Sequence, residues 1–263
     1  MSSSIVQALI GVEGLAIERD DQILRGIDWQ VRPGENWVIL GPNGSGKSTL
    51  LNALMAFTAP TKGRLFAFGH EYGEDDWNEV KASIGYVGSE VNRMIEPDES
   101  ALDVLISGAR AMINFWGDPD PKEQRAARKI LKNMGCSALE KRTWRQLSQG
   151  ERQKMLFGRA LMGKPRVLFL DEPCAGLDPI ARLDYIRFME SNAVNPKGPA
   201  LILVTHHVEE ITPSFTHALL LREGHVVASG PMDGTLTSAK LSETFERAVR
   251  LLRRDGGYLL EEG

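Results

Sequence analysis

Cysteine is scarce: 263 residues include only Cys136 and Cys174. Their spacing fits neither a metal site nor a redox pair, and no disulfide framework can be built from it, so two reduced thiols of a cytosolic protein are expected. Long apolar runs are missing too. No stretch approaches the roughly 20 residues that a membrane-crossing helix needs. The opening MSSSIVQALIGVEG lacks the basic start of a signal peptide. Work at a membrane would therefore run through a separate membrane partner. There is no excess of charge of one sign: the formal net charge of −4 gives no global attraction to nucleic acid or anionic lipid. Internal repeats and low-complexity segments are absent.

The remainder is ordinary for a globular α/β chain, with 42% hydrophobic and 25% charged residues. The length suits one large domain or a core with an inserted subdomain. Near the start, LIGVEGLAI and ILRGIDWQV read as antiparallel strands separated by polar turns. NWVIL is a continuous apolar run ending at a glycine-rich loop, as a buried parallel strand does. Trp29 and Trp37 alternate with apolar neighbours and read as packing residues. KSTLLNALMAF places Leu50, Leu51, Leu54 and Phe57 at helical spacing, and TKGRLFAFG reads as another strand. From Val91 to about Gln146 helix formers dominate. In DPKEQRAARKILKNMG, Asp120 can cap, Pro121 takes the first helical position, Glu123 closes a capping box and Gly135 ends the helix. RVLFLDEP and ALILVTHH read as buried parallel strands with function at their C-terminal ends. HALLLREGHVVASG reads as a hairpin around Glu223-Gly224. The tail LSETFERAVRLLRRDGG, with Leu241, Phe245, Val249 and Leu252 on one face, reads as a helix stopped by Gly256 and Gly257. Arg250, Arg253 and Arg254 then form a solvated, dipole-favoured helix end.

The chemistry concentrates in short motifs. GPNGSGKST, from Gly41 to Thr49, has the G-x-x-x-x-G-K-[ST] spacing. Gly41, Gly44 and Gly46 let the backbone turn consecutive N–H groups onto phosphate oxygens, and the helix that follows adds its positive end. Lys47 can reach the β- and γ-phosphates, and the Ser48 hydroxyl can ligate Mg²⁺. Asp171 and Glu172 sit just past a buried strand, where an Asp can hold Mg²⁺ and a Glu can activate water. In LSQGE, Ser148 and Glu151 form a capping box, which leaves Gly150 unexplained because glycine is a poor helix residue. A bare helix start with Ser and Gly also suits an anion.

This order of motifs, ending in Ala175-Gly176-Leu177-Asp178 and then Thr205-His206, resembles the ATP-binding cassette (ABC) ATPases over essentially the whole chain. The resemblance implies a P-loop (RecA-like) α/β core with an antiparallel β subdomain and an inserted helical subdomain. Its boundaries are expected as residues 1–90 and 146–263 for the core and 91–145 for the insertion. It implies Mg²⁺-dependent ATP hydrolysis. Gly41, Pro42, Asn43, Gly44, Ser45, Gly46, Lys47, Ser48 and Thr49 would form the Walker A loop. Asp171 and Ser48 would hold the metal, Glu172 would be the catalytic carboxylate, and His206 the switch histidine on the γ-phosphate. Ser148, Gln149 and Gly150 belong to the signature motif, which contacts ATP held by the opposite subunit. Asp178 lies in the D-loop at that interface. One chain carries one Walker A loop and one signature, so a homodimer or a paired homologous ATPase is required.

Two places depart from the family pattern. The glutamine expected after IGYV is missing from YVGSE: Ser89 stands there, with Glu90 next. A serine hydroxyl cannot span as an amide does, so ATP binding with altered coupling is expected. No aromatic platform for adenine precedes the second strand. Arg19 in IERDDQIL could stack its guanidinium on the base or be a solvated turn charge, and base discrimination should be modest. A weaker resemblance, carried by GIDWQVRPGENWVILGPNGSGKSTLL and THHVEEI, is to single-domain or tandem cassettes labelled molybdenum-transport-like or photorepair-associated. Within the insertion, Met94, Ile95, Phe115 and Trp116 could be subdomain core or a docking groove. Two roles stand: the motor subunit of an ABC transporter, cytoplasmic and peripheral to the membrane through its partner, or a soluble ATPase switch on a protein or nucleic-acid machine, for which no strong nucleic-acid signal exists.

Overall fold

A computed structural model describes residues 8–18, 22–254 and 256–263. In chain order the strands are β1 (Ile10–Glu18), β2 (Gln22–Val31), β3 (Trp37–Leu40), β4 (Lys62–Ala67), β5 (His70–Glu71), β6 (Ile84–Val87), β7 (Val167–Asp171), β8 (Ala200–Thr205), β9 (His217–Arg222), β10 (His225–Pro231), β11 (Val249–Arg254) and β12 (Gly257–Glu262). The helices are α1 (Lys47–Leu54), α2 (Trp77–Ala82), α3 (Ser89–Met94), α4 (Ala101–Ala109), α5 (Pro121–Asn133), α6 (Gln149–Met162), α7 (Pro179–Ala193), α8 (Met232–Thr235) and α9 (Ser238–Phe245). The chain divides into two compact units, Met1–Lys81 with Ala193–Gly263, and Ala82–Asn192.

In the first unit β2, β1, β4 and β5 form an antiparallel sheet, with Val12 opposite Trp29 and Ile10 opposite both Val31 and Ala67. Strand β3 pairs in parallel with β8 on one side and β9 on the other. All four β3 residues are buried, which is why this strand is continuously apolar rather than alternating. Trp29 and Trp37 meet edge to face at 5.6 Å, both buried. The β9–β10 hairpin turns at Glu223 and Gly224, both with positive φ. Leu50, Leu51 and Leu54 of α1 are buried as expected, but Phe57 lies past the helix end and is 67% exposed.

The tail corrects the expected helix. Helix α9 stops at Glu246, which takes the left-handed conformation (φ 53°), and Arg247 N–H bonds back to the Ser242 carbonyl. Residues 249–262 then fold back as the β11–β12 hairpin around Gly256 (φ 80°), with Leu251 facing Leu260 and Leu252 facing Leu259. The Ser242 and Ser238 hydroxyls accept the backbone N–H of Val249 and Leu251, each at 3.0 Å, tying β11 to α9. Arg253 pairs with Asp233 and lies over the Tyr258 ring instead of ending a helix.

In the second unit β6 and β7 pair in parallel, Tyr86 opposite Phe169. Helices α4, α5 and α6 pack together. The α4–α6 approach is backbone-close: a Cβ at Gly108 would lie 2.0 Å from the Arg159 carbonyl oxygen. Arg159, whose pKa is lowered by burial, donates to the Ser107 hydroxyl at 3.2 Å and to the Met112 carbonyl. Burial pushes the Glu99 carboxyl up, and its Oε1 accepts the Phe115 N–H at 2.8 Å. The Asp120–Glu123 capping box opens α5, and Gly135 has φ 67° just past its end. Cys136 and Cys174 are buried and are not joined in a disulfide. No described helix is long and apolar enough to cross a membrane.

Candidate nucleotide site

The first unit carries the glycine-rich loop at the C-terminal end of β3. A Cβ on Gly41 would sit 2.2 Å from the Leu221 carbonyl oxygen and 2.6 Å from Ser45 Oγ, so only glycine fits. Gly46 (φ 100°) is the N-cap of α1 and offers no side-chain acceptor to the first-turn N–H groups of Lys47, Ser48 and Thr49. Lys47 is buried, and its ammonium donates to the Gly41 and Pro42 carbonyls at 2.8 and 3.0 Å. Ser45 is 1% exposed and its hydroxyl has no hydrogen-bond partner among the described residues. An orphaned buried hydroxyl inside a cradle of amide N–H groups fits a polyanion such as a nucleotide phosphate. Asn43, Gly44 and Ser48 are exposed, and Pro42 and Thr49 half-buried.

On the neighbouring strand, Thr205 pairs in register with Leu40, so the loop and His206 leave the same end of adjacent parallel strands. Thr205 Oγ1 donates to Glu210 Oε2 at 2.7 Å and accepts the His207 N–H at 3.1 Å. Glu210 is 2% exposed and closes the turn that carries His206. It escaped the sequence reading because nothing separates it from its exposed neighbour Glu209. The His206 and His207 rings meet at 4.0 Å.

The second unit carries the acidic pair and LSQGE. Asp171 ends β7, and Tyr86 Oη donates to its Oδ2 at 3.1 Å. The Tyr86 hydroxyl is driven well above its usual pKa, by burial first and then by the Asp171 and Glu90 carboxylates. Glu172 has φ 45°, a left-handed conformation unfavourable for a non-glycine residue. Its carbonyl accepts the Ala175 N–H at 3.0 Å. Ser148 caps α6 in a reciprocal pair with Glu151, at 3.2 and 2.8 Å. Gly150, which the capping box left unexplained, has a packing reason: a Cβ there would lie 3.3 Å from Ala181 Cβ. Gln149 Nε2 donates to the Ala175 carbonyl at 3.2 Å, joining this motif to residues 175–178. Asp178 Oδ1 accepts the Ile180 and Ala181 N–H groups, both at 3.0 Å, and caps α7. Ser89 opens α3, and its hydroxyl accepts from Arg93 on the same helix at 3.4 Å. Glu90 is exposed. Arg19 lies outside the described residues.

The family model described as ABC transporter matches residues 24–175, more than half of the chain. The chain belongs to the ABC transporter ATP-binding family. It is 37% identical over 246 residues to the uncharacterized ABC transporter ATP-binding protein YlmA of Bacillus subtilis, covering 93% of each chain. It is 34% identical to the ABC transporter ATP-binding protein ModF of Escherichia coli, over 78% of this chain and 42% of that protein. Among solved structures it is similar to the ADP conformation of an ATP-binding cassette of an ABC transporter, with a TM-score of 0.77, 23% identity, and 90% and 98% of the two chains covered. The fold is therefore the P-loop cassette fold, and membership makes this ABC cassette an ATP-binding protein of an ATPase class.

Proposed function

We propose that this chain is the Mg²⁺-dependent ATP-hydrolysing motor of a transporter, working as a pair of cassettes on a separate membrane-spanning subunit. The observation that carries the nucleotide reading is the Gly41–Thr49 cradle, with its buried, unpartnered Ser45 hydroxyl and the Lys47 ammonium at its base. Ser48 and Asp171 would hold Mg²⁺, which when bound neutralises charge on the β- and γ-phosphate oxygens. Lys47 and His206 would stabilise charge around the γ-phosphoryl group, and Glu172 would orient and deprotonate the attacking water. The left-handed backbone of Glu172 (φ 45°), a strained conformation of the kind found at functional positions, supports that role. Ser148, Gln149 and Gly150 would present the α6 N-terminus to the nucleotide of the opposite subunit. Ile180 and Leu183 are 68% and 51% exposed just after Asp178, which supports an interface there.

Residues 1–90 and 146–263 would be the ATP-binding core and 91–145 the insertion that meets the membrane subunit. Met94 and Trp116, 59% and 74% exposed, support that contact, and Asn114 Nδ2, bonded to the Met94 carbonyl at 3.1 Å, holds the two segments together. Ile95, by contrast, is buried and Phe115 half-buried. The names of the curated relatives support transport over a free-standing switch.

The test is Glu172→Gln, tagged and expressed in its own cell. ATP turnover should fall to near background while ATP holds two copies together. A polytopic membrane protein should be retained with the closed pair. Normal turnover would remove Glu172 from its role, and retention of soluble proteins alone would remove the transport reading.

A further inference from the structure

We propose that Tyr86 is a positioning residue for Asp171, fixing the carboxylate from the strand that leads into the altered YVGSE loop. The proposal rests on the reading of Asp171 as the magnesium carboxylate. Strands β6 and β7 are parallel neighbours with Tyr86 opposite Phe169, and the phenol reaches two residues along β7 to place Oη 3.1 Å from Asp171 Oδ2. A tyrosine hydroxyl donates one proton in one direction, so the bond selects which oxygen of the carboxylate is held and restricts rotation of its plane.

Gly88 gives an independent reason to think that this arrangement is built in. Its backbone is extended (φ −158°, ψ 166°), a conformation open to any residue, so glycine is not needed for its freedom. It is needed for space. A Cβ at position 88 would lie 2.2 Å from Tyr86 Oη, 2.5 Å from Cζ and 2.8 Å from Cε1. The ring lies across the Gly88 backbone, and any side chain there would push the hydroxyl off Asp171. Ser89, one residue on, turns its hydroxyl to Arg93 of its own helix. The contact from this segment to the acidic end of β7 is therefore made by the phenol before the loop, and displacement of Gly88 and α3 would reach Asp171 through the ring.

The experiment uses the full-length protein and Mn²⁺ as the probe, followed by electron paramagnetic resonance in the presence of ADP. Tyr86→Phe keeps the ring and removes the hydroxyl. Its Mn²⁺ affinity should fall about tenfold, the order seen when the partner of a metal-binding side chain is removed, while ADP affinity in EDTA is unchanged. Gly88→Ala should lose Mn²⁺ affinity to a similar extent in the wild type and add little to Tyr86→Phe, because the hydroxyl it displaces is already gone. Mn²⁺ affinity within twofold of wild type for Tyr86→Phe would overturn the proposal, as would an equal fall in metal-free ADP affinity. Asp171→Asn keeps the two readings apart: if it abolishes the Mn²⁺ signal while Tyr86→Phe does not weaken it, Asp171 keeps its role and Tyr86 loses its own.

Discussion

The turn that carries His206 rests on a buried strap that a double-mutant cycle can weigh. Thr205 is 1% exposed and Glu210 2% exposed, and the Thr205 hydroxyl serves two bonds at once: it donates to Glu210 Oε2 at 2.7 Å and accepts the His207 N–H at 3.1 Å. Thr205→Val keeps the shape and removes both. A hydrogen bond to a charged partner contributes about 1.5–3 kcal/mol and a neutral one about 1 kcal/mol, so the loss should total about 2.5–4 kcal/mol. At roughly 2–4 °C per kcal/mol for a chain of this size, a central loss of about 3 kcal/mol lowers Tm by about 6–12 °C. Glu210→Gln keeps an acceptor but removes the charge, and should cost less. Measured by urea unfolding of the nucleotide-free protein, the two substitutions should be coupled by about 1–2 kcal/mol, within the range for directly bonded neighbours. ATP turnover of Thr205→Val should fall further than its stability loss explains, because His206 follows Thr205 directly. Coupling below about 0.5 kcal/mol would refute the strap, since distant sites already show that much.

Two further outcomes are expected. Ser89→Gln should change both the hydrolysis rate and nucleotide-dependent dimerisation, because it restores an amide where the hydroxyl now accepts from Arg93 of its own helix; steady-state turnover and sizing with and without ATP check it, and no change in either would end the idea of altered coupling. Gly108→Ala should lower stability by about 1–3 kcal/mol, the usual cost of overpacking, because its Cβ would fall 2.0 Å from the Arg159 carbonyl oxygen; an unchanged melting temperature would mean that α4 and α6 separate freely.

Legibility followed the range of the determining interaction. The glycine-rich loop, the capping boxes at Asp120 and Ser148 and the Glu223-Gly224 hairpin are set within a few residues, and the sequence displays each of them. In the tail two patterns overlap, and the one that reads as a helix gives way to a hairpin. Leu241, Phe245, Val249 and Leu252 do share a helical face, yet 249–254 can equally pair across the glycine turn with 257–262, whose leucines supply a partner for each of Leu251 and Leu252. Serine hydroxyls at 238 and 242 then take the β11 amides that a longer helix would have used internally. Gly150 and Glu210 depend on contacts that no local pattern announces, a neighbouring methyl group in one case and a buried threonine in the other. YVGSE lay between these extremes. The missing glutamine marks Ser89, yet the residue with the reach is Tyr86, and its mark in the sequence is the glycine two positions later. An extended glycine needs a spatial reason, and here the atom in the way is the hydroxyl that holds Asp171. Loss of the amide at position 89 therefore need not disconnect the loop from the acidic end of β7. It moves the connection three residues upstream, to a side chain on β6 whose reach is fixed by a rigid ring.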